Sequence, residues 1–151
     1  MLRYLKLANW KSVYEPVEFS MVATSERRHG ARLARLGRTR VLPVAAIYGA
    51  NAAGKSTLVE GLATLQALVT QARSKTEVLP VVPHKLRGDG EPTSFGVEFV
   101  VAGFGDKPER RRDWVFYYEV SADRHRIHSE SLARLRTKDE EVIFERQDNE
   151  V

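Results

Sequence analysis

The residues with the clearest chemical potential are the nine from Gly49 to Thr57, which run Gly-Ala-Asn-Ala-Ala-Gly-Lys-Ser-Thr. They satisfy the pattern G-x-x-x-x-G-K-[ST], in which two glycines bound a loop that ends in lysine and a hydroxyl residue. Glycine lets the backbone turn tightly and approach an anion without a Cβ atom in the way. The N–H groups of such a loop, with the positive end of a following helix, can cradle phosphate groups. The pattern therefore predicts a phosphate-binding loop.

Each part of the loop has a predicted role in holding a nucleoside triphosphate with Mg²⁺. The Lys55 ammonium would lie between the β- and γ-phosphates and is the predicted catalytic group. The Ser56 hydroxyl would be a Mg²⁺ ligand. The alternative is a glycine-rich strand-to-helix turn that binds no ligand. The predicted binding residues are Gly49, Ala50, Asn51, Ala52, Ala53, Gly54, Lys55, Ser56 and Thr57.

The elements on either side of the loop have different hydrophobic patterns. Residues 41–48 form a nearly continuous apolar run, which predicts a strand buried on both faces. From Gly54 to about Ala72 or Lys75 the spacing changes to that of an amphipathic helix. Its predicted apolar face is formed by Leu58, Leu62, Leu65 and Val69. A strand before the loop and a helix after it are the context that the motif requires.

The rest of the chain has the alternating apolar pattern of strands. Strands are predicted at residues 2–10, 17–22, 93–101, 114–121, 126–135 and 141–146. The third and fourth of these form a predicted antiparallel hairpin, and the last two form another pair. Residues 30–40 are polar, basic and poorly periodic, which indicates a loop with some helical character. The pattern predicts an α/β fold with an antiparallel region after the helix.

Composition excludes several classes of protein. The chain has 151 residues, of which 42% are hydrophobic, and it has no cysteine. A disulfide framework, a zinc–cysteine site and a thiol nucleophile are therefore excluded. The N-terminus lacks the pattern of a secretory signal, and no apolar run approaches the roughly 18 residues that span a bilayer. We expect a cytoplasmic protein without a membrane partner.

The basic charge is concentrated near the N-terminus. Residues 1–40 hold nine Lys and Arg against three Asp and Glu, whereas the whole chain has a net charge of only +4. A cluster of this kind can neutralise nucleic-acid phosphates, or it can be a solvated amphipathic turn whose leucines pack inward. No aromatic residue interleaves with its arginines. They are Arg27, Arg28, Arg32, Arg35, Arg38 and Arg40.

Three other groups of residues were considered and favour structural roles. His84 is remote from the other two histidines, and His125 and His128 flank a strand with no carboxylate at metal-binding spacing, so a solvated strand edge is favoured for that pair. Glu119 ends an apolar run as a Walker B acid would, but the aromatic content of that run and its hairpin context favour an edge-exposed antiparallel strand. The basic run 110–112 indicates a solvated loop tip, with phosphate contact as the alternative.

Together these segments resemble the N-terminal part of an ABC/SMC-type P-loop ATPase, of the RecF-like and overcoming-lysogenization-defect-like kind found in anti-phage defence systems. The opening strand that runs into Asn9-Trp10-Lys11-Ser12 is similar to the first strand of that family. Asn51 separates the loop from those of most small kinases and GTPases. At residues 52–53 many relatives have Gly or Ser where this chain has alanines, which implies a stiffer loop. The later strands resemble the family's antiparallel β-subdomain.

The resemblance implies ATP and Mg²⁺ as cofactors and hydrolysis between two associated ATPase heads. It further implies a homo-oligomer assembled through those heads and an effector protein, such as a nuclease, from the same operon. The family's Q-loop, signature motif, Walker B pair and switch histidine are not found in these residues. We therefore expect an incomplete ATPase lobe that binds nucleotide but hydrolyses it poorly. Its parts would be residues 1–40, 41–75 and 76–151.

Two other functions remain open from the sequence. A small P-loop kinase or GTPase would share the loop, although an antiparallel region follows here where parallel βα units are expected. A non-hydrolysing module could instead bind nucleotide at residues 49–57 and nucleic acid at residues 27–40.

Overall fold

The computed structural model describes residues 1–24, 29–36, 39–71, 77–86, 90–104, 112–136 and 139–147. Within these ranges the chain forms a six-stranded sheet, a separate two-stranded hairpin and one long α-helix.

The main sheet is antiparallel throughout, with the strand order β2-β1-β5-β6-β7-β8. Its strands are β1 (Leu2–Ala8), β2 (Val17–Ser20), β5 (Thr93–Phe104), β6 (Arg112–Ala122), β7 (Ile127–Leu135) and β8 (Glu140–Gln147). Alternation along β5 and β6 places Phe95 and Val120 side by side on one face, where both are fully buried. All six predicted strands of this sheet are confirmed to within a few residues.

Helix α1 (Lys55–Thr70) packs on the same face of the sheet, against β1. Its buried positions are Thr57, Gly61 and Leu65. A Cβ atom on Gly61 would lie 2.8 Å from both terminal methyl groups of Leu7, which is itself fully buried. Glycine at this position is what allows the helix to approach the strand so closely.

The predicted apolar face of the helix is only half correct. Leu65 is buried and Leu58 is partly buried, but Leu62 is 38% exposed and Val69 is 56% exposed. The buried positions Thr57, Gly61 and Leu65 follow one line of the helix, so the closest packing passes through Gly61 rather than along the predicted apolar face. The helix also ends at Thr70, and residues 72–76 lie outside the described ranges.

The strand predicted at residues 41–48 is wrong. Only Val41 is in a strand, residues 42–50 have no regular secondary structure, and Val44 is 76% exposed. A buried strand needs hydrogen-bonding neighbours, and among the described residues no strand pairs with this run beyond Val41. Leu42 is partly buried, and residues 43–50 are all exposed.

The segment predicted as a loop at residues 30–40 has more structure than expected. It consists of a 3₁₀ turn (Gly30–Arg32) followed by strands β3 (Ala34–Leu36) and β4 (Thr39–Val41), which form an antiparallel hairpin. Charged and small residues in this segment obscure the alternation of apolar and polar side chains from which such short strands could be predicted. Residues 25–28 and 37–38 of the basic cluster, including Arg27, Arg28 and Arg38, lie outside the described ranges.

In the part of the chain that the structure describes, no helix has the length and apolar character needed to cross a membrane.

Candidate functional site

The loop at residues 49–54 leads directly into the first turn of α1. The Lys55 side chain folds back across it, and its Nζ atom donates hydrogen bonds to the carbonyl oxygens of Gly49 (2.8 Å) and Ala50 (2.6 Å). The N–H of Ala53 donates to the Ala50 carbonyl at 3.3 Å, which closes a tight turn. The ammonium group is therefore held over the mouth of the loop rather than extended into solvent.

Two residues of the loop have left-handed backbone conformations. Gly54 is the N-cap of α1 with φ at 85°, and Ala52 has φ at 61°. A glycine adopts this region freely, whereas a residue with a Cβ atom does so at a cost of roughly 1–2 kcal/mol. Ala52 therefore carries local strain that the loop shape imposes.

The helix N-terminus is available to an anion. Gly54 provides no side-chain cap, so none of the first-turn N–H groups is bonded to a capping side chain. The Ser56 side chain is exposed, and its hydroxyl has no hydrogen-bond partner among the described residues. Thr57 is different, because it is buried and its Oγ1 atom lies 3.0 Å from the Ser12 hydroxyl. Of the two hydroxyl residues, only Ser56 can reach a ligand of the loop.

The turn after β1 (residues 9–12) holds the start of α1 in place. The buried Trp10 donates from Nε1 to the Thr57 carbonyl at 3.0 Å. Lys11 forms an ion pair with Glu60, one turn further along the helix. Asn9 and Lys11 both have positive φ, at 49° and 48°. This irregular backbone aims successive side chains at the same helix.

Asn9 connects that turn to the segment that precedes and begins β5. Its amide nitrogen donates to the Glu91 carbonyl at 2.7 Å, and its Oδ1 atom accepts from the His84 N–H at 3.0 Å. Thr93 donates to the Asn9 carbonyl at 2.7 Å. In the sequence, Asn9 is recognisable only as part of the motif that follows the opening strand. Its contacts with residues so far along the chain cannot be recognised from spacing alone.

A cavity of about 550 Å³ lies beside the loop. One wall comes from the turn between β1 and β2 and the other from the loop and the first turn of α1. Its size is within the usual range for small-molecule sites. It is lined by Ser12, Val13, Tyr14, Glu15, Val17, Ile47, Tyr48, Ala52, Ala53, Gly54, Lys55 and Leu58. The wall at residues 12–17 was not predicted as part of the site.

The histidines considered from the sequence have structural contacts. Asp123 accepts the backbone N–H groups of His125 and Arg126 and lies 2.7 Å from the His128 ring. Burial acts to raise the pKa of Asp123, but these hydrogen bonds outweigh it and hold the pKa below its usual value. Among the described residues, no group of three His, Asp or Glu side chains could hold a metal ion.

Glu119 lies in the middle of β6, between Gly96 of β5 and Ser131 of β7. The antiparallel strand is confirmed, but its predicted edge-exposed position is wrong, because β6 pairs with β5 on one side and β7 on the other. The acid does not approach the loop from the end of a parallel strand. The pKa of the neighbouring Tyr117 is raised to about 12, mainly by burial and next by the negative charge of the Glu119 carboxylate. Of the basic run 110–112, only Arg112 lies within the described ranges, at the exposed start of β6.

The loop and the helix that it opens are typical of P-loop nucleotide-binding domains, although residues 42–48 before the loop form no strand in this structure. Comparison with protein families places the chain more narrowly. Residues 44–151 match the family described as AAA domain, AbiEii toxin-like, Type IV TA system, and the chain belongs to this family. It is thus an AAA domain of the ATPase type. No curated protein and no solved structure matches the chain.

The strain at Ala52 gives a testable consequence. Ala52→Gly should raise the free energy of unfolding by about 0.5–1 kcal/mol, because relief of the left-handed strain exceeds the added entropy of the unfolded glycine. Ala53→Gly is the matched control, since Ala53 lacks a positive φ; it should lower the free energy by a similar amount. Urea unfolding followed by circular dichroism measures both. Equal effects of the two substitutions would contradict the assigned strain.

Proposed function

We propose that this domain binds ATP with Mg²⁺ at residues 49–57. The observation that carries the proposal is the loop itself: two glycines, a lysine ammonium held across the loop mouth and the uncapped start of a 16-residue helix. Membership of an AAA family supports it, because AAA ATPases generally use ATP and Mg²⁺.

Different residues of the loop would contact different parts of the triphosphate. Gly49 and Gly54 allow close approach of the backbone, whose N–H groups, with the start of α1, complement the phosphate charge. Lys55 would exchange its two carbonyl partners for oxygens of the β- and γ-phosphates. Bound Mg²⁺ neutralises phosphate charge, and the exposed Ser56 hydroxyl is the group that would hold it. Thr57 is already engaged with Ser12, so its role is structural.

The cavity beside the loop is a suitable place for the base and ribose. Its apolar wall includes Val13, Ile47 and Leu58, and Tyr14 and Tyr48 supply aromatic surface. A planar base can pack against such surfaces while the triphosphate extends into the loop. This direction places the charged end of the nucleotide at Lys55 and the apolar end away from it.

The resemblance to ABC/SMC-type ATPases supports a finer proposal. Two such domains would associate with nucleotide between them, as a homo-oligomer, and would couple that association to an effector such as a nuclease from the same operon. Anti-phage defence is the biological setting that this resemblance favours. Each of these points depends on nucleotide binding, which can be tested first.

The test is Mg²⁺-dependent ATP binding by isothermal titration calorimetry. We expect wild-type protein to bind ATP about tenfold or more tightly with Mg²⁺ than with EDTA. Ser56→Ala should remove most of that difference and leave the affinity in EDTA unchanged. Ser129→Ala, a serine of β7 far along the chain, is the control and should behave as wild type.

Several outcomes would overturn the proposal. These are absence of ATP binding, GTP bound more tightly than ATP, or an unchanged Mg²⁺ effect in Ser56→Ala. Preference for GTP, or transfer of phosphate to an added small-molecule acceptor, would favour the small kinase or GTPase instead.

A further inference from the structure

The hairpin formed by β3 and β4 has an unusual arrangement of charge. Arg35 of β3 lies directly opposite Arg40 of β4, and both side chains are exposed. Directly opposed residues of an antiparallel pair project to the same side with Cβ atoms about 4.5–5.5 Å apart, and like charges in that position destabilise the pair. The two opposed arginines therefore concentrate positive charge on one small surface of the hairpin.

A third arginine lies in the turn that the Arg40 guanidinium approaches. Nη1 of Arg40 lies 3.8 Å from the position that a Cβ atom on Gly30 would occupy, so its guanidinium reaches the 3₁₀ turn. That turn ends in Arg32, which is also exposed. We name Arg32, Arg35 and Arg40 the hairpin arginines.

The hairpin arginines differ from the arginines of the main sheet in lacking acidic partners. Among the described residues no ion pair includes any of the three, whereas ion pairs join Arg3 to Glu98, Arg134 to Glu141, and Arg146 to Glu130. The positive charge of these three arginines is therefore presented to solvent instead of being neutralised by an acidic side chain of the described residues.

The hairpin is fixed to the main sheet, so its arginines are held in place. Val41 is fully buried and forms a β-bridge with Val22. The Ala23 N–H donates to the Arg40 carbonyl at 2.9 Å, and the Leu42 N–H donates to the Met21 carbonyl at 2.8 Å. Side chains on an anchored backbone lose less entropy on binding than those of a free basic tail.

The chemistry around these arginines favours a chain of phosphates as the partner. Guanidinium groups bind phosphate in a bidentate manner. No large hydrophobic side chain is exposed among residues 29–35 and 39–41, so this part of the hairpin lacks the apolar anchor of a membrane-binding surface. No Phe, Tyr or Trp is present there to stack on a base.

We propose that the hairpin arginines bind the sugar–phosphate backbone of nucleic acid without regard to base sequence. This surface is separate from the loop at residues 49–57, and binding to it does not require the proposed nucleotide site.

The experiment is fluorescence anisotropy with a labelled mixed-sequence DNA duplex and an RNA duplex of the same sequence, between about 50 and 200 mM NaCl. Wild-type affinity should fall linearly on logarithmic axes as salt increases. Arg35→Gln/Arg40→Gln should weaken binding about tenfold or more and reduce the slope by about 2, since each phosphate contact contributes about 0.9. A second DNA sequence should give the same affinity.

A charge-matched control separates this surface from net charge. Lys85→Gln/Arg124→Gln removes two exposed positive charges elsewhere and should change affinity less than about threefold. Lys55→Ala, assayed without nucleotide, should bind nucleic acid as wild type does, so failure of the nucleotide proposal would be distinguishable.

Three results would overturn the inference. The first is no binding to either duplex at about 50 mM NaCl. The second is an equal loss in both double variants. The third is binding to phosphatidylserine vesicles that requires Arg35 and Arg40 when nucleic-acid binding does not.

Discussion

Replacing Lys55 with alanine should weaken ATP binding at least about 100-fold, which corresponds to about 2.7 kcal/mol. The ammonium is held over the loop by the carbonyl oxygens of Gly49 and Ala50, where it can meet a phosphate with little further movement. Hydrogen bonds between charged groups contribute about 1.5–3 kcal/mol each, and two phosphates can accept from one ammonium. Calorimetric titration of ATP into both proteins measures the change.

The controls for this result concern charge and folding. Lys85→Ala removes the same charge from an exposed position outside the site and should leave the affinity unchanged. Lys55→Arg retains the charge, but its planar group matches the two loop carbonyls poorly, so we expect an intermediate loss. The circular dichroism spectrum of Lys55→Ala should match that of wild type. An ATP affinity within about threefold of wild type would contradict the assignment of Lys55.

The strands of the main sheet could be predicted from the sequence for a physical reason. Alternation along β5, as at Phe95 and Val97, arises because one face of the strand must be covered. It needs no knowledge of which strand lies next to which. The phosphate loop could likewise be recognised locally, because its glycines and Lys55 act through backbone within a few residues.

The sequence-based predictions were wrong where contacts with distant residues determine the local structure. The apolar run at residues 41–48 has the composition of a buried strand, but composition cannot supply hydrogen-bonding neighbours, and Tyr48 is 89% exposed. On α1, Gly61 controls the packing although it contributes nothing to a hydrophobic pattern. A glycine in a helix signals a close approach only when Leu7 of another element is known to face it.

The contribution of the turn at residues 9–12 to the site was missed for a related reason. The positive φ angle of Lys11 is not typical of lysine, and although asparagine adopts positive φ more often than most residues, neither angle is indicated by the sequence pattern. Without them, neither the Trp10 contact to Thr57 nor the Ser12 contact could be predicted. The long separation along the chain, 47 residues for Trp10 and Thr57, leaves no local signal.

Substitution of that tryptophan should have the largest effect on stability. Trp10→Ala should lower the free energy of unfolding by about 3–5 kcal/mol, the usual range for removing a large buried aromatic side chain. Trp10 is 1% exposed, packs edge-on against Phe95 with ring centroids 5.2 Å apart, and donates to the Thr57 carbonyl. Urea unfolding followed by circular dichroism measures the change.

Two further variants divide this effect into its parts. Trp10→Phe keeps an aromatic ring against Phe95 but removes the N–H donor, so we expect a smaller loss that includes about 1 kcal/mol for the hydrogen bond. Trp114→Phe changes the other tryptophan, which is only partly buried, and should cost less than Trp10→Ala. A loss below about 1 kcal/mol for Trp10→Ala would contradict the role of this side chain in the core.

Trp10 also connects stability to nucleotide binding, and this distinguishes its substitution from that of Lys55. Its hydrogen bond reaches the first turn of α1, which begins at the phosphate loop, so Trp10→Ala removes a support of that turn as well as core volume. We therefore expect Trp10→Ala to lower both stability and ATP affinity, whereas Lys55→Ala should lower affinity alone. Paired unfolding and binding measurements test this difference. If Trp10→Ala kept full ATP affinity while losing stability, the turn at residues 9–12 would support the core without positioning the loop.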